Sequence, residues 1–112
     1  MQQSPEKLKT WLEAHKDQVL KIQKEEDDDL DQATIKLQEV EYAEHHDTDD
    51  YLAVQALLLK GEGTVLAGEG EAKLPAGIYE IALTDQWFSA SDDKSLHLST
   101  ERGSYRIEVE QQ

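Results

Sequence analysis

Apolar residues in this chain recur with two different periods, and the change from one to the other sets the kind of fold open to it. Leu8, Trp11, Leu12, Val19 and Ile22 are spaced as one stripe of a helix. His15 shares that stripe, while Lys7, Lys9, Glu13, Lys16, Asp17, Lys21 and Lys24 take the opposite side. Ser4 followed by Pro5 is a helix start, a side-chain acceptor at the N-cap and then a residue whose missing N–H costs nothing. The pattern predicts an amphipathic helix over residues 5–24.

From Ala33 the period is two. Ala33, Ile35 and Leu37 share one face, but Val40 and Tyr42 have the opposite parity, so a bulge is expected near Gln38 and Glu39. Residues 51–60 (YLAVQALLLK) have helical propensity, yet the run is short, apolar on both parities and flanked by strand-like segments. Strand is the preferred reading. Gly-Glu-Gly at 61–63 and again at 68–70 reads as the turns of successive hairpins, and residues 73–77 (KLPAG) as a type II turn. Ile78 to Thr84 alternates as a strand. Leu96 and Leu98, then Tyr105, Ile107 and Val109, alternate around a turn at 101–103 as a hairpin. The class is α+β: one N-terminal amphipathic helix packed on an antiparallel sheet or meander of about five to six short strands. Residues 1–112 form one domain, with helix 5–24, an acidic connector 25–31 and antiparallel strands 32–110.

Charge is segregated along the chain. The net charge is −14, but residues 1–24 balance to +2, residues 25–50 to −11 and residues 51–112 to −5. The five adjacent carboxylates of residues 25–29 would meet the wrong end of a helix dipole and one another, so a solvated connector is expected there. Such a field repels phosphate polyanions and anionic lipid surfaces, so neither nucleic acid nor membrane is an expected partner. No apolar run exceeds four residues, far short of the roughly 20 that span a bilayer. There is no Cys, which removes disulfides, thiolate metal sites and Cys nucleophiles, and points to a cytoplasmic location.

The motifs that would carry chemistry are incomplete. Leu66 stands where a dinucleotide fingerprint needs its third glycine, and Glu69 where a phosphate loop needs Lys. Asp27, Asp29 and Asp31 have the spacing of the first ligands of a calcium loop, but Gln32 and Gln38 occupy its glycine and glutamate positions. His45 with Asp47, Asp49 and Asp50 is a weak candidate for a divalent metal. The serines near His97 lack a nucleophile elbow. His15 is expected to be a hydrogen-bonded residue at the edge of the core. No cofactor and no catalytic residues are assigned, and the expectation is a non-enzyme.

What is left is a small acidic interaction or regulatory module that binds a protein with a basic surface. Glu25, Glu26, Asp27, Asp28, Asp29, Asp31, Trp87 and Phe88 are the candidate contact residues. Two alternatives stand beside it. One is a nucleic-acid mimic that blocks a DNA- or RNA-binding protein, which needs its carboxylates on one face. The other is a small-molecule or divalent-metal-binding domain using the free face of the sheet or the 45–50 loop.

Overall fold

A computed structural model describes residues 5–46, 53–67, 70–83, 86–101 and 103–110. One helix, α1 (Pro5–Glu13), is followed by eight strands: β1 (Val19–Glu26), β2 (Asp29–His46), β3 (Ala53–Ala67), β4 (Gly70–Lys73), β5 (Ile78–Leu83), β6 (Trp87–Ser91), β7 (Ser95–Thr100) and β8 (Ser104–Val109). All pair antiparallel in the order β4-β3-β2-β1-β8-β7-β6, and β5 pairs with β3 beside β4. The first strand thus lies against the last. The α+β class is as expected, but the sheet has eight strands rather than five or six.

The main correction is to the helix, which ends at Glu13 instead of running to Lys24. The reason is that Val19 and Ile22 fit either period. Leu20 and Ile22 are fully buried on one strand face, and β1 satisfies its backbone on both sides, with β2 and with β8. Two ladders outweigh the helix propensity of the segment. The helix closes through a tight turn, His15 N–H donating to Leu12 O at 3.0 Å, and Asp17 adopts φ 69°. The Asp17 N–H then donates to Leu37 O at 2.7 Å, and Leu37 N–H to Gln18 O at 3.1 Å, which docks the turn on β2.

The acidic connector 25–31 is not a connector. Glu25 and Glu26 end β1, Asp29 begins β2, and only Asp27 and Asp28 make the turn between them. Both have positive φ, 46° and 69°, which is the two-residue type I′ hairpin turn. Aspartate is one of the few L-residues that tolerates this conformation. Asn-Gly is better still, so the double substitution Asp27→Asn, Asp28→Gly is expected to raise stability by about 0.5–1 kcal/mol, read as a higher urea midpoint at unchanged slope.

The bulge is where parity placed it: the β2–β3 register shifts between Leu37 and Glu39. Residues 53–60 are strand, as preferred. Residues 61–63 are not a turn, however; they run through β3, where its far edge passes from β5 (paired with 55–60) to β4 (paired with 64–67). Residues 75–77 form a 3-10 turn with Ala76 and Gly77 both left-handed, rather than a type II turn.

The core lies between α1 and one face of the curled sheet. Leu8 and Leu12 of α1 meet Leu20, Ile22, Ile35, Leu37, Leu57, Leu59, Ile81, Leu98 and Ile107, all at most 1% exposed. Each such side chain contributes roughly 1.5–3 kcal/mol of burial. Two polar contacts pin the helix across the chain. Trp11 Nε1–H donates to Asp92 O at 2.7 Å, and the His15 ring, stacked 4.2 Å from Trp11, sits with Nδ1 2.7 Å from Trp11 O and Nε2 2.9 Å from Asp93 O. His15 is therefore the hydrogen-bonded edge residue that its stripe position implied.

Candidate interaction surface

Residues partnered across an antiparallel ladder share a face, so the register sorts the candidate residues directly. Lys24, Glu26, Asp29 and Asp31 lie on the core-side parity, with Lys24 opposite Asp31 and Tyr105. Glu25 and Leu30 lie opposite one another on the outer parity. The outer row continues from Glu25 to Ser104, Ser99 and Phe88. Trp87 and Phe88 therefore part company: Trp87 packs against the core, while Phe88 is 65% exposed.

The turns β1–β2 and β7–β8 are at the same end of the sheet, because Ser104 pairs with Glu25. That end gathers Glu25, Glu26, Asp27, Asp28, Asp29, Asp31 and, from a distant part of the chain, Glu101. Among the described residues two bases stand there: Lys24 on the core-side parity, and Arg106, which is ion-paired with Glu108, beside Glu25 and Leu30 on the outer one. The Lys24 ammonium lies 3.4 Å from Glu26 and 5.6 Å from the centre of the Tyr105 ring. Partial burial pulls Lys24 down, but Tyr105 and Glu26 outweigh it and hold the group above its ordinary value. Burial pushes the Tyr79 hydroxyl far up, with Tyr105 and Asp31 adding to the effect. Both shifts lead away from neutrality, so neither group is poised as a nucleophile or a general base.

The remaining acids of β2 are elsewhere. Glu39 and Glu41 lie beyond the bulge, paired with Lys60 and Leu58. Glu41 accepts a hydrogen bond from Lys60, which lowers Glu41 and raises Lys60. The acids of residues 25–44 thus fall into two groups separated along β2, not one file. Asp27, Asp29 and Asp31 are spread over a hairpin turn and a strand, with no calcium-loop geometry. His45 belongs to β2 by its backbone, and Asp47, Asp49 and Asp50 lie outside the described residues. Among the described residues no group of three His, Asp or Glu is placed to hold a metal. None of the described helices is long and apolar enough to cross a membrane.

Two side chains escaped the sequence reading. Leu30 is 59% exposed and Leu66 46% exposed, both on the outer face. Gln32 pairs with Leu66, which makes Leu30 and Leu66 diagonal neighbours beside the acidic end. The signal for Leu30 was present: an isolated leucine between Asp29 and Asp31 cannot be core when Ala33 and Ile35 set the inward parity. Leu66 needed the register.

The YmzB-like protein family matches residues 1–112, and the chain belongs to that family. It is 36% identical over 109 residues to the uncharacterized protein YmzB of Bacillus subtilis strain 168, covering 92% of each chain. No solved structure matches it.

Proposed function

We propose that this member of the YmzB-like family is a non-catalytic protein-interaction module that docks a partner with a basic surface at the acidic end of its sheet. One observation carries the reading. Two turns from distant parts of the chain bring seven carboxylates together, with Lys24 and Arg106 the described bases beside them, next to the exposed Leu30–Leu66 pair. The carboxylates would steer a cationic partner and select against anionic ones, and the leucines would supply the apolar contact that charge alone lacks. Phe88 extends the same face at its far edge. No reacting group, cofactor or metal enters this reading. The absence of cysteine supports a cytoplasmic setting. The separation of Glu39 and Glu41 from the hairpin acids weighs against a nucleic-acid mimic, and the same acidic end disfavours nucleic acid and anionic membrane as partners.

The test is affinity capture from an extract of the source cells with three baits: wild type, Leu30→Ser with Leu66→Ser, and Asp27→Asn with Asp29→Asn and Asp31→Asn. A basic protein held by wild type, weakened roughly tenfold by either variant and released by added salt, is the expected result. Equal retention by all three baits would refute the surface assignment.

A further inference from the structure

The opposite charge also gathers at one place, and no reading of the sequence showed it. On the outer face, Lys21 of β1 pairs with Thr34 of β2, Thr34 with Thr64 of β3, and Thr64 with Lys73 of β4. Lys36 stands two residues along β2 from Thr34, on the same face. One row therefore reads Lys-Thr-Thr-Lys across four strands, with a third lysine beside its centre. Neighbouring strands are about 4.8 Å apart, so Lys21 and Lys73 are roughly 14 Å apart at their backbones, a gap that two inward-reaching lysine side chains bridge. All three lysines are exposed, and among the described residues none makes an ion pair with a carboxylate.

A groove of about 600 Å³ opens over this row. Thr34, Thr64, Lys36 and Lys73 line it, and Val19 and Leu74 give it an apolar wall. The nearby carboxylates are limited. Glu108 opposes Lys21 but is held by Arg106 at 2.5 Å, and Glu71 accepts from the Thr64 hydroxyl at 3.4 Å. Glu62, opposite Lys36, competes for the lysines, and Glu71 for the Thr64 hydroxyl.

We propose that this groove binds a small oxyanion, a phosphate or carboxylate group carried on a small molecule. Lys36 and Lys73 in the lining, with Lys21 at its edge, supply the charge, and the Thr34 hydroxyl donates a hydrogen bond between them, joined by Thr64 when its proton turns from Glu71 to the anion. The net charge of −14 does not prevent this, because its main concentration begins about 13 Å away, four residues along β1 from Lys21 to Glu25, and the solvent screens over about 8 Å at physiological salt. It does restrict size: a polyanion long enough to leave the groove would meet Glu62 and Glu71, so the site suits a single anionic group. This site is separate from the acidic end and stands whether or not that end docks a protein.

The experiment is a titration of the isotope-labelled full chain with inorganic phosphate, and separately with acetate, at low salt, read by amide NMR shifts. The expected result is saturable shifts confined to residues 19–21, 34–36, 61–64 and 73–74, with phosphate binding more tightly than acetate. The double variant Lys36→Gln, Lys73→Gln should weaken phosphate roughly tenfold or more, and Glu62→Gln should strengthen it a few-fold. Lys7→Gln, on the exposed side of α1, should leave it unchanged. Shifts that fail to saturate into the tens of millimolar, that spread over all lysines, or that are indifferent to the Lys36 and Lys73 changes would overturn the proposal. The substituted side chains are exposed, and a thermal melt of each variant confirms that a lost shift is lost binding.

Discussion

Gly61→Ala is expected to cost about 3 kcal/mol or more, enough to unfold a large fraction of a domain whose total stability is of order 5–15 kcal/mol. The cause is a close approach of two backbones. Gly61 lies opposite Leu37, directly beside the bulge of β2. A Cβ built at Gly61 overlaps the carbonyl oxygen of Lys36 and lies 3.3 Å from Gln38 N. These are ladder atoms, not the ends of flexible side chains, so they cannot yield without opening the β2–β3 pairing. Gly63 is in the same position against Thr34 O, with Leu74 Cδ1 only 2.8 Å away. Gly70 is the internal control, since an added Cβ there meets nothing within 4 Å, and Gly70→Ala should stay within about 0.5 kcal/mol of wild type. Urea unfolding of the three proteins gives the comparison. Equal midpoints for Gly61→Ala and Gly70→Ala would mean that the strands are not in contact at the bulge as described.

The same glycines show what kind of information the sequence withheld. Gly-Glu-Gly occurs at 61–63 and at 68–70, and locally both look like turns. At 61–63 the pairing of β3 with β2 overrides that local signal, and the pairing is non-local; residues 68 and 69 lie outside the described residues. The bulge itself was legible because it is written in parity: Leu37 and Val40 cannot point the same way without an extra residue between them. The end of α1 was illegible for the opposite reason. Val19 and Ile22 satisfy both periods, and the deciding fact is that β8, some eighty residues later, needs β1 as its neighbour. The acidic run misled through a sound argument wrongly placed. Carboxylates do avoid a helix C-terminus, but the helix had already ended, and Asp27-Asp28 suits a left-handed turn.

The candidate sites divide in the same way. Glu25 through Asp31 was visible as a concentration of charge, since those residues are contiguous. Glu101 joined them only through the β7–β8 hairpin, and Leu66 joined Leu30 only through register. The Lys-Thr-Thr-Lys row has no sequence signature at all, because its four members stand on four strands and a one-residue slip in any ladder would scatter them. Surface chemistry built across a sheet is encoded in whatever fixes register, here the bulge and the two glycines facing β2. A substitution at Gly61 should therefore disturb the proposed anion groove as well as stability.

Leu12→Ala carries the second large expectation, a loss of about 3 kcal/mol within the 2–5 kcal/mol range of buried leucine truncations. Leu12 is fully buried in the same cluster as Ile35, Leu37 and Leu98. A helix of nine residues has little stability of its own in water, so α1 exists because Leu8 and Leu12 are held against the sheet and Trp11 and His15 against the β6–β7 turn. Truncating Leu12 removes one of two apolar anchors and leaves a void whose size depends on how far α1 can settle. The hydrogen bond from Trp11 to Asp92 O and the docking of Asp17 on Leu37 O limit that settling at its C-terminal side. The cost should therefore exceed the transfer term alone, and the urea midpoint should fall with the slope unchanged, because the helix shares one core with the strands. Thr10→Ala, on the exposed side of the same helix, should change stability by no more than about 0.5 kcal/mol. A reduced slope for Leu12→Ala, with amide exchange accelerated in α1 but not in β1 and β8, would instead show the helix detaching by itself and the curled sheet folding without it.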